Sequence, residues 1–374
     1  MSHSSWEHSG GFSGESADLP WAPLYTICRS GIPELTIHGL AYGWAEDRSL
    51  YANAGRTLLK IGNPQAPLWS RSLLKPFQFM ALYPALKQAY PSLGPTHFAL
   101  MLASQNGDAV QSQLLQEIIA LTGLCESDLQ CPACRPLGQG QEQGQTSPQA
   151  KSALNHPCAG KHLAHLLYQK SLALPLKDYL SPDQPAYGQL RLLLGFLLGR
   201  EDFAESVDGC GMPNIALSAV EMAQLYHALQ MPVSRDLLRQ APEELTDCLT
   251  LWDDIAALMR NHPALMGGLG RLDTALMVSA FEGGLPLIAK EGADGLLAVS
   301  IGRNARFQDG LGLLIKVASG YEPQQLRRMV LRLLEQLDLV SLCPPLASLK
   351  LAGEENPVLQ SHFHFDLAQK PPSP

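Results

Sequence analysis

Positive charge never gathers in this chain. It holds 27 Lys and Arg against 35 Asp and Glu, a net charge of −8, and no basic run occurs. A nucleic-acid partner needs a concentrated positive footprint, so none is expected. Charge of either sign is scarce, at 17 % of residues, which is low for a surface made mainly of exposed helices. Long apolar runs are missing too. The longest aliphatic one, Leu192 to Gly199 between Arg191 and Arg200, is far too short to cross a bilayer, so no membrane partner is expected. The first residues lack the apolar stretch of an export signal, an absence that predicts a cytoplasmic protein. Disulfide spacing is absent as well. The eight cysteines (Cys28, Cys125, Cys131, Cys134, Cys158, Cys210, Cys248 and Cys343) are scattered, and in an intracellular chain they read as free thiols or ligands.

Apolar residues are plentiful, at 46 % of 374 residues, enough to bury a large core in one large domain or two intimate ones. The patterning divides the chain into a tail over 1–20, one catalytic-sized domain over 21–340 and a C-terminal extension over 341–374. Residues 1–20 are rich in Ser, Gly and His without apolar period, and Pro371 to Pro374 look equally unstructured. Alternation predicts strands at about Glu34–Trp44 and Ser49–Ile61. Helical spacing follows over Leu74–Gln88, Asp108–Thr122, Lys161–Ser171, Ala186–Leu198 and Glu244–Met259. Ser218 to Glu221 form a capping box before Met222–Leu229. Short apolar runs at Leu285–Ile288 and Leu296–Ile301 flank a turn at Lys290–Gly295. A strand at Leu311–Val317 and a helix at Pro323–Leu337 close the pattern. Strands at both ends with helices between predict a mixed α/β (α+β) fold, an antiparallel sheet built from both chain ends with helices packed on it. The Gln- and Gly-rich region within 134–151 reads as a surface loop.

The chemistry-bearing residues stand out from this background. Ser72 and Lys75 form an S-x-x-K step followed by Pro76. On a helix the pair shares one face, and proline belongs in a first turn, so a helix is expected to begin at about Ser72. A neutral amine beside a hydroxyl makes a nucleophile of it. The bland alternative is a capping serine and a solvated lysine. Ser104-Gln-Asn106-Gly107 follows the apolar run Phe98–Ala103 and reads either as a site loop or as a polar turn. Lys290-Glu-Gly292 completes an order similar, loosely, to the three elements of serine β-lactamases and penicillin-binding proteins, with Glu291 where those enzymes carry a hydroxyl.

Cys158 and Lys161 lie on one helix face, and Asp208 and Cys210 sit in a glycine-rich turn. Two thiols and a carboxylate suit zinc, with lysine an unusual fourth ligand, although isolated cysteines more often pack as small apolar groups. Cys131-Pro-Ala-Cys134 lacks the second pair of a zinc knuckle and the flanking elements of a redox site. Gly267 to Asp273 reads as a close-approach turn in which Arg271 and Asp273 are able to pair.

Taken in order, Ser70–Gln78, Ala103–Gly107, Cys158–His162, Val207–Pro213, Gly270–Met277, Lys290–Gly295 and Gly310–Lys316 resemble the class 3, rhizobial-type L-asparaginases of the asparaginase II family. The resemblance runs from about Leu24 to Leu337. It implies a serine β-lactamase- and glutaminase-like fold, a homodimer, and hydrolysis of the small-molecule substrate L-asparagine. It implies two Ser–Lys pairs, with Ser72 the nucleophile, Lys75 its base, and Ser104 with Lys290 relaying a proton to ammonia. It further implies a zinc ion, dispensable for the chemistry, on Cys158, Lys161, Asp208 and Cys210. Arg71, His162 and Asn106 would be substrate-binding. The chain departs from the family pattern at His156-Pro157 and at Gln105-Asn106, which bears on substrate preference. Two other readings remain: a different serine amidohydrolase on the same scaffold, acting on glutamine, a β-lactam or a peptide, and a non-enzymatic zinc-binding homologue.

Overall fold

The computed structural model describes residues 19–46, 55–137, 150–231, 233–320, 323–349 and 358–362. Most of the N-terminal tail, most of the Gln/Gly-rich loop, the tip of the first predicted hairpin and the final Pro-rich residues lie outside them. Three strands open the chain: β1 (Ala22–Arg29), β2 (Ile32–Glu46) and β3 (Gly55–Ile61). β1 was not anticipated. Its buried face is short, and Leu24 to Cys28 are all buried rather than alternating, a pattern that periodicity alone cannot assign.

Two small strands follow far apart in sequence. β4 (Pro67–Trp69) pairs with β6 (Pro213–Ser218), which also pairs with β5 (Glu205–Val207). The chain's second half returns to the main sheet as β7 (Leu287–Gly292), β8 (Leu296–Ile301) and β9 (Leu311–Val317). A last strand, β10 (Val358–Ser361), pairs with β1. The large sheet runs β10-β1-β2-β9-β8-β7, with β3 beside β2. Every pairing is antiparallel. Both chain ends therefore build it, as the strand–helix–strand order requires. The C-terminal extension is no separate appendage, because β10 supplies an edge strand.

The helices are α1 (Lys75–Ala89), α2 (Pro95–Leu102), α3 (Ala109–Thr122), α4 (Ala159–Ser171), α5 (Pro185–Leu198), α6 (Ala219–Ala228), α7 (Arg235–Gln240), α8 (Thr246–Thr250), α9 (Trp252–Asn261), α10 (Pro263–Met266), α11 (Leu272–Glu282), α12 (Pro323–Gln336) and α13 (Leu339–Leu342). Asp108 caps α3 and Ser218 caps α6, each with its side chain accepting from the backbone N–H three residues on. The single helix expected over Glu244–Met259 divides at Leu251, where Trp252 turns inward and its Nε1 donates to Ala228 O at 3.0 Å. α6 packs against β2, β8 and β9, and α11 against β7. α1 is buried on nearly every side, with Lys75, Phe77, Gln78, Phe79, Met80, Leu82 and Leu86 all enclosed. That marks it as the central rod of the helical layer, with α4 and α5 packed against it.

One glycine decides how closely the functional segments meet. A Cβ on Gly160 would stand 2.2 Å from Leu100 O, so α4 and α2 touch backbone to backbone only because no side chain intervenes. That approach brings the start of α4 against the end of α2, where Ser104 follows.

Candidate active site

Local structure places Ser72 with care. Ser70 N and Ser70 Oγ both donate to Ile215 O, at 3.1 and 2.7 Å, and Arg71 N donates to Asn214 Oδ1 at 3.1 Å. The segment is thereby pinned to β6. Arg71 then adopts a left-handed φ of 51°, a conformation uncommon outside glycine and found at functional sites. A 3-10 turn over Arg71–Leu74 follows, and α1 begins only at Lys75. The helix therefore starts three residues later than the sequence implied. The tight turn still eclipses positions three apart, but its entry is set by β6 rather than by a helix cap.

Lys75 is buried, and its Nζ donates to Ala103 O at 2.6 Å, Ser104 Oγ at 3.1 Å and Pro157 O at 3.0 Å. Lys290 Nζ donates to the same Ser104 Oγ at 2.8 Å and lies 3.4 Å from Asp273 Oδ2. Ser104 thus stands between two amines. The expected contact between Ser72 and Lys75 is not made in this arrangement. Lys75 reaches past Ser72 because two backbone carbonyls and Ser104 offer it a full set of acceptors. Ser72 is half-buried and faces a cleft of about 270 Å³, whose walls also include Ser104, Pro157, Arg271, Glu291 and Asp294.

Burial lowers the Lys75 amine to about 8. The Cys158 charge pulls it the other way, and Lys290 and Lys161 add to the drop. Lys290 is lowered too, by burial first, with Asp273 opposing. Asp273 is fully buried, and it accepts from Thr274 N at 2.8 Å and Glu291 N at 3.0 Å. Burial raises its carboxyl, but Lys290 and Arg271 outweigh that and hold it below the usual range. Arg271 Nε donates to Glu291 Oε2 at 2.5 Å. Two ion pairs therefore lie side by side between β7 and the start of α11: Lys290–Asp273 inside and Arg271–Glu291 on the cleft wall. Arg271 and Asp273 do feel each other's charge, as the glycine-rich turn suggested, and Arg271 pairs directly with Glu291.

The residues expected to ligate zinc converge only in part. Lys161 Nζ donates to Cys210 Sγ at 3.5 Å, and Cys158 shares a side-chain hydrogen bond with Cys210. That bond, aided by Lys75 and Lys161, lowers the Cys158 thiol, and the same bond together with burial raises Cys210. Burial lowers Lys161, but Cys158, Cys210 and Asp208 outweigh it and the amine ends above its usual value. Asp208 does not join the cluster. Its Oδ1 accepts from Arg71 Nε at 2.7 Å and from Gly209 N at 2.9 Å. Among the described residues no three His, Cys, Asp or Glu side chains gather as metal ligands. Two sulfurs and an amine fit zinc as donors, provided the ion displaces the lysine proton.

The three residues expected to bind substrate lie behind the cleft wall or are already engaged. Arg71 bridges Asp208 and Asp294. His162 is fully buried, its Nδ1 shares a 2.6 Å hydrogen bond with Tyr179 Oη, and burial lowers it to about 2. A neutral imidazole there offers no charge to a substrate. Asn106 Nδ2 donates to Leu269 O at 2.8 Å, and Asn106 is buried. The two departures from the family pattern touch each other: Gln105 Nε2 donates to His156 O at 2.9 Å. Their shared effect on the cleft runs through Pro157, which lines it and whose carbonyl holds Lys75. Arg271, Glu291, Asp273 and Asp294 were not singled out as functional. The spacing Arg-x-Asp beside a Lys-Glu step was the available signal, and it needed the fold to become visible.

The family described as L-asparaginase II matches residues 28–357. No curated protein sequence matches the chain. Among solved structures, it is similar to the probable glutaminase from Bacillus subtilis complexed with 6-diazo-5-oxo-L-norleucine, at 12 % identity over 80 % of this chain and 85 % of that one, with a TM-score of 0.36. A Bacillus glutaminase studied in 4.3 M NaCl is similar at 13 % identity over 80 % of this chain and 91 % of that one, again with a TM-score of 0.36.

Proposed function

The chain belongs to the L-asparaginase II family, and from that premise we infer that it hydrolyses L-asparagine to L-aspartate and ammonia, with Ser72 as nucleophile and Lys75 as its base. Membership makes the protein an amidohydrolase. The observation that carries the assignment of roles is Ser104 Oγ, gripped by two buried amines and lining the same cleft as the Ser72 hydroxyl.

A carboxamide is unreactive, so its carbon needs an activated oxygen and its nitrogen needs a proton to leave. Ser72 Oγ attacks the side-chain carbonyl and gives its proton to Lys75. Oγ and Nζ must close up for that transfer, since the amine's present bonds run to Ser104, Ala103 and Pro157; catalytic hydrogen bonds commonly tighten when substrate binds. As the C–N bond breaks, Ser104 Oγ gives its proton to the leaving nitrogen and takes back from Lys75 the proton that came from Ser72, with Lys290 holding the relay oxygen, so that Lys75 is neutral again. Ammonia departs and an ester remains on Ser72. Water, deprotonated by Lys75, then cleaves the ester and releases L-aspartate.

Zinc, when bound, would be held by Cys158, Cys210 and Lys161, and would neutralise thiolate charge beside the base. No step requires it. Zinc content should approach one ion per chain and fall away in Cys158→Ser/Cys210→Ser protein; wild-type protein devoid of zinc after purification with added metal would refute the site.

Lys75 must be neutral to accept the proton, and its pKa lies at about 8. Below that value the amine is charged, so kcat/KM for L-asparagine should climb about tenfold per pH unit and level off above it. The assay is ammonia release from L-asparagine, L-glutamine and a β-aspartyl dipeptide between pH 6 and 10. L-asparagine should be the best substrate. A rate independent of pH across that range would remove Lys75 as base, and turnover of L-glutamine alone would overturn the substrate.

A further inference from the structure

The cleft contains a charge pattern that the reaction itself does not use. Among the described residues lining it, Arg271 is the one cation, and Glu291 and Asp294 are the acids. The other cations nearby do not line it. Lys75 and Lys290 hold Ser104 from behind, and Arg71 is bound to Asp208 and Asp294. Arg271 stands at the start of α11, where Gly267 lets the turn fold onto it: a Cβ at Gly267 would meet Arg271 Cβ at 2.8 Å and Asp273 Oδ1 at 2.4 Å. Glu291, itself buried, fixes the guanidinium from β7. A guanidinium held in this way, beside two serine hydroxyls in a cleft of amino-acid size, matches a planar carboxylate.

We propose that Arg271, buttressed by Glu291, receives the α-carboxylate of the substrate, and that this contact restricts the site to free amino-acid amides. The inference rests on the amidohydrolase reading above, and it names the group of the substrate that is recognised. Glu291 and Asp294 line the same cleft and give an α-ammonium acidic neighbours. A peptide-embedded asparagine, whose α-carboxylate is spent in a bond, has nothing to offer the guanidinium.

The test compares L-asparagine with 3-aminopropanamide, the same amide without its α-carboxylate. Arg271→Met should raise KM for L-asparagine about 100-fold while kcat falls far less. The same substitution should lower kcat/KM for 3-aminopropanamide far less than for L-asparagine, because that substrate has no carboxylate for the guanidinium to hold. Arg271→Lys should recover part of the loss. Equal losses on both substrates would reduce Arg271 to a structural support of Lys290 and overturn the proposal. If Arg271→Met does not fold, the double variant Arg271→Met/Glu291→Gln removes both charges together and gives the same comparison. Should wild-type protein release no ammonia from L-asparagine, the amidohydrolase reading fails by itself. Calorimetric binding of L-asparagine then decides the inference: weaker binding to Arg271→Met supports it, and unchanged affinity refutes it.

Discussion

Ser72→Ala should abolish ammonia release from L-asparagine, with kcat lower by about 10⁵-fold, while the protein remains as stable as wild type. Both halves of that expectation come from the same geometry. Ser72 faces the cleft, and no hydrogen bond of its hydroxyl to another described residue stands in the structure. Deleting the oxygen leaves no buried partner stranded, so the folding free energy should change by less than about 0.5 kcal/mol. Ser104→Ala should behave in the opposite way. That hydroxyl is buried and accepts from two amines. Its loss leaves Lys75 and Lys290 each short of an acceptor, at about 1–3 kcal/mol in stability. Activity should fall by about 10²- to 10⁴-fold, the usual range for a lost proton relay. The pair of variants decides the nucleophile. If Ser72→Ala turned over and Ser104→Ala did not, the acyl group would have to be placed on Ser104, which both lysines already hold.

Asp273→Asn is expected to cost about 3–5 kcal/mol of stability, measured as a shift of the chemical denaturation midpoint, and to cut activity at least about 100-fold. Lys290 and Asp273 are both fully enclosed. An ammonium buried with its counterion removed is far worse off than a pair removed together. Burial already lowers Lys290, and Asp273 is the largest influence resisting it. Without the carboxylate the amine should drop further and shed its proton, and the hydrogen bond to Ser104 would lose its charge. Asparagine can still accept from Lys290 and Glu291 N at one oxygen, but its amide N–H₂ would then face Thr274 N, itself a donor. Unchanged stability in Asp273→Asn would show that the inner pair carries no such load. Asp273 does not line the cleft. It is a positioning residue, and its signature is a displaced pH profile as well as a slower rate.

These two residues show where reading the chain succeeds and where it stops. Ser72, Lys75, Ser104 and Lys290 stand out in the sequence because each lies in a short local step, and the fold brings Ser104 against both amines and Ser72 into the same cleft. The helices α3 and α6 were legible from caps at Asp108 and Ser218, which act within a single turn. By contrast, β10 lies in a stretch with no periodic signal, and its place beside β1 depends on hydrogen bonds to residues more than 300 positions away. The start of α1 was misplaced because Arg71 is fixed from outside, by Asn214 and Asp208.

Which partner each charged group chooses was likewise out of reach. The sequence offered Lys75 to Ser72, Arg71 to the substrate and Asp208 to a metal. The fold gives them Ser104 and two carbonyls, then a pair of carboxylates, then a guanidinium. Short-range chemistry, the type of residue at each step and the order of strands and helices were set by the chain alone, because propensity, capping and spacing act over a few residues. The identity of the cleft's cation, the burial that makes a lysine basic near pH 8 and the inner Lys290–Asp273 pair were decided only when β7, α2, α4 and α11 packed together. Desolvation and ion pairing depend on distance in space, and no local pattern encodes that distance.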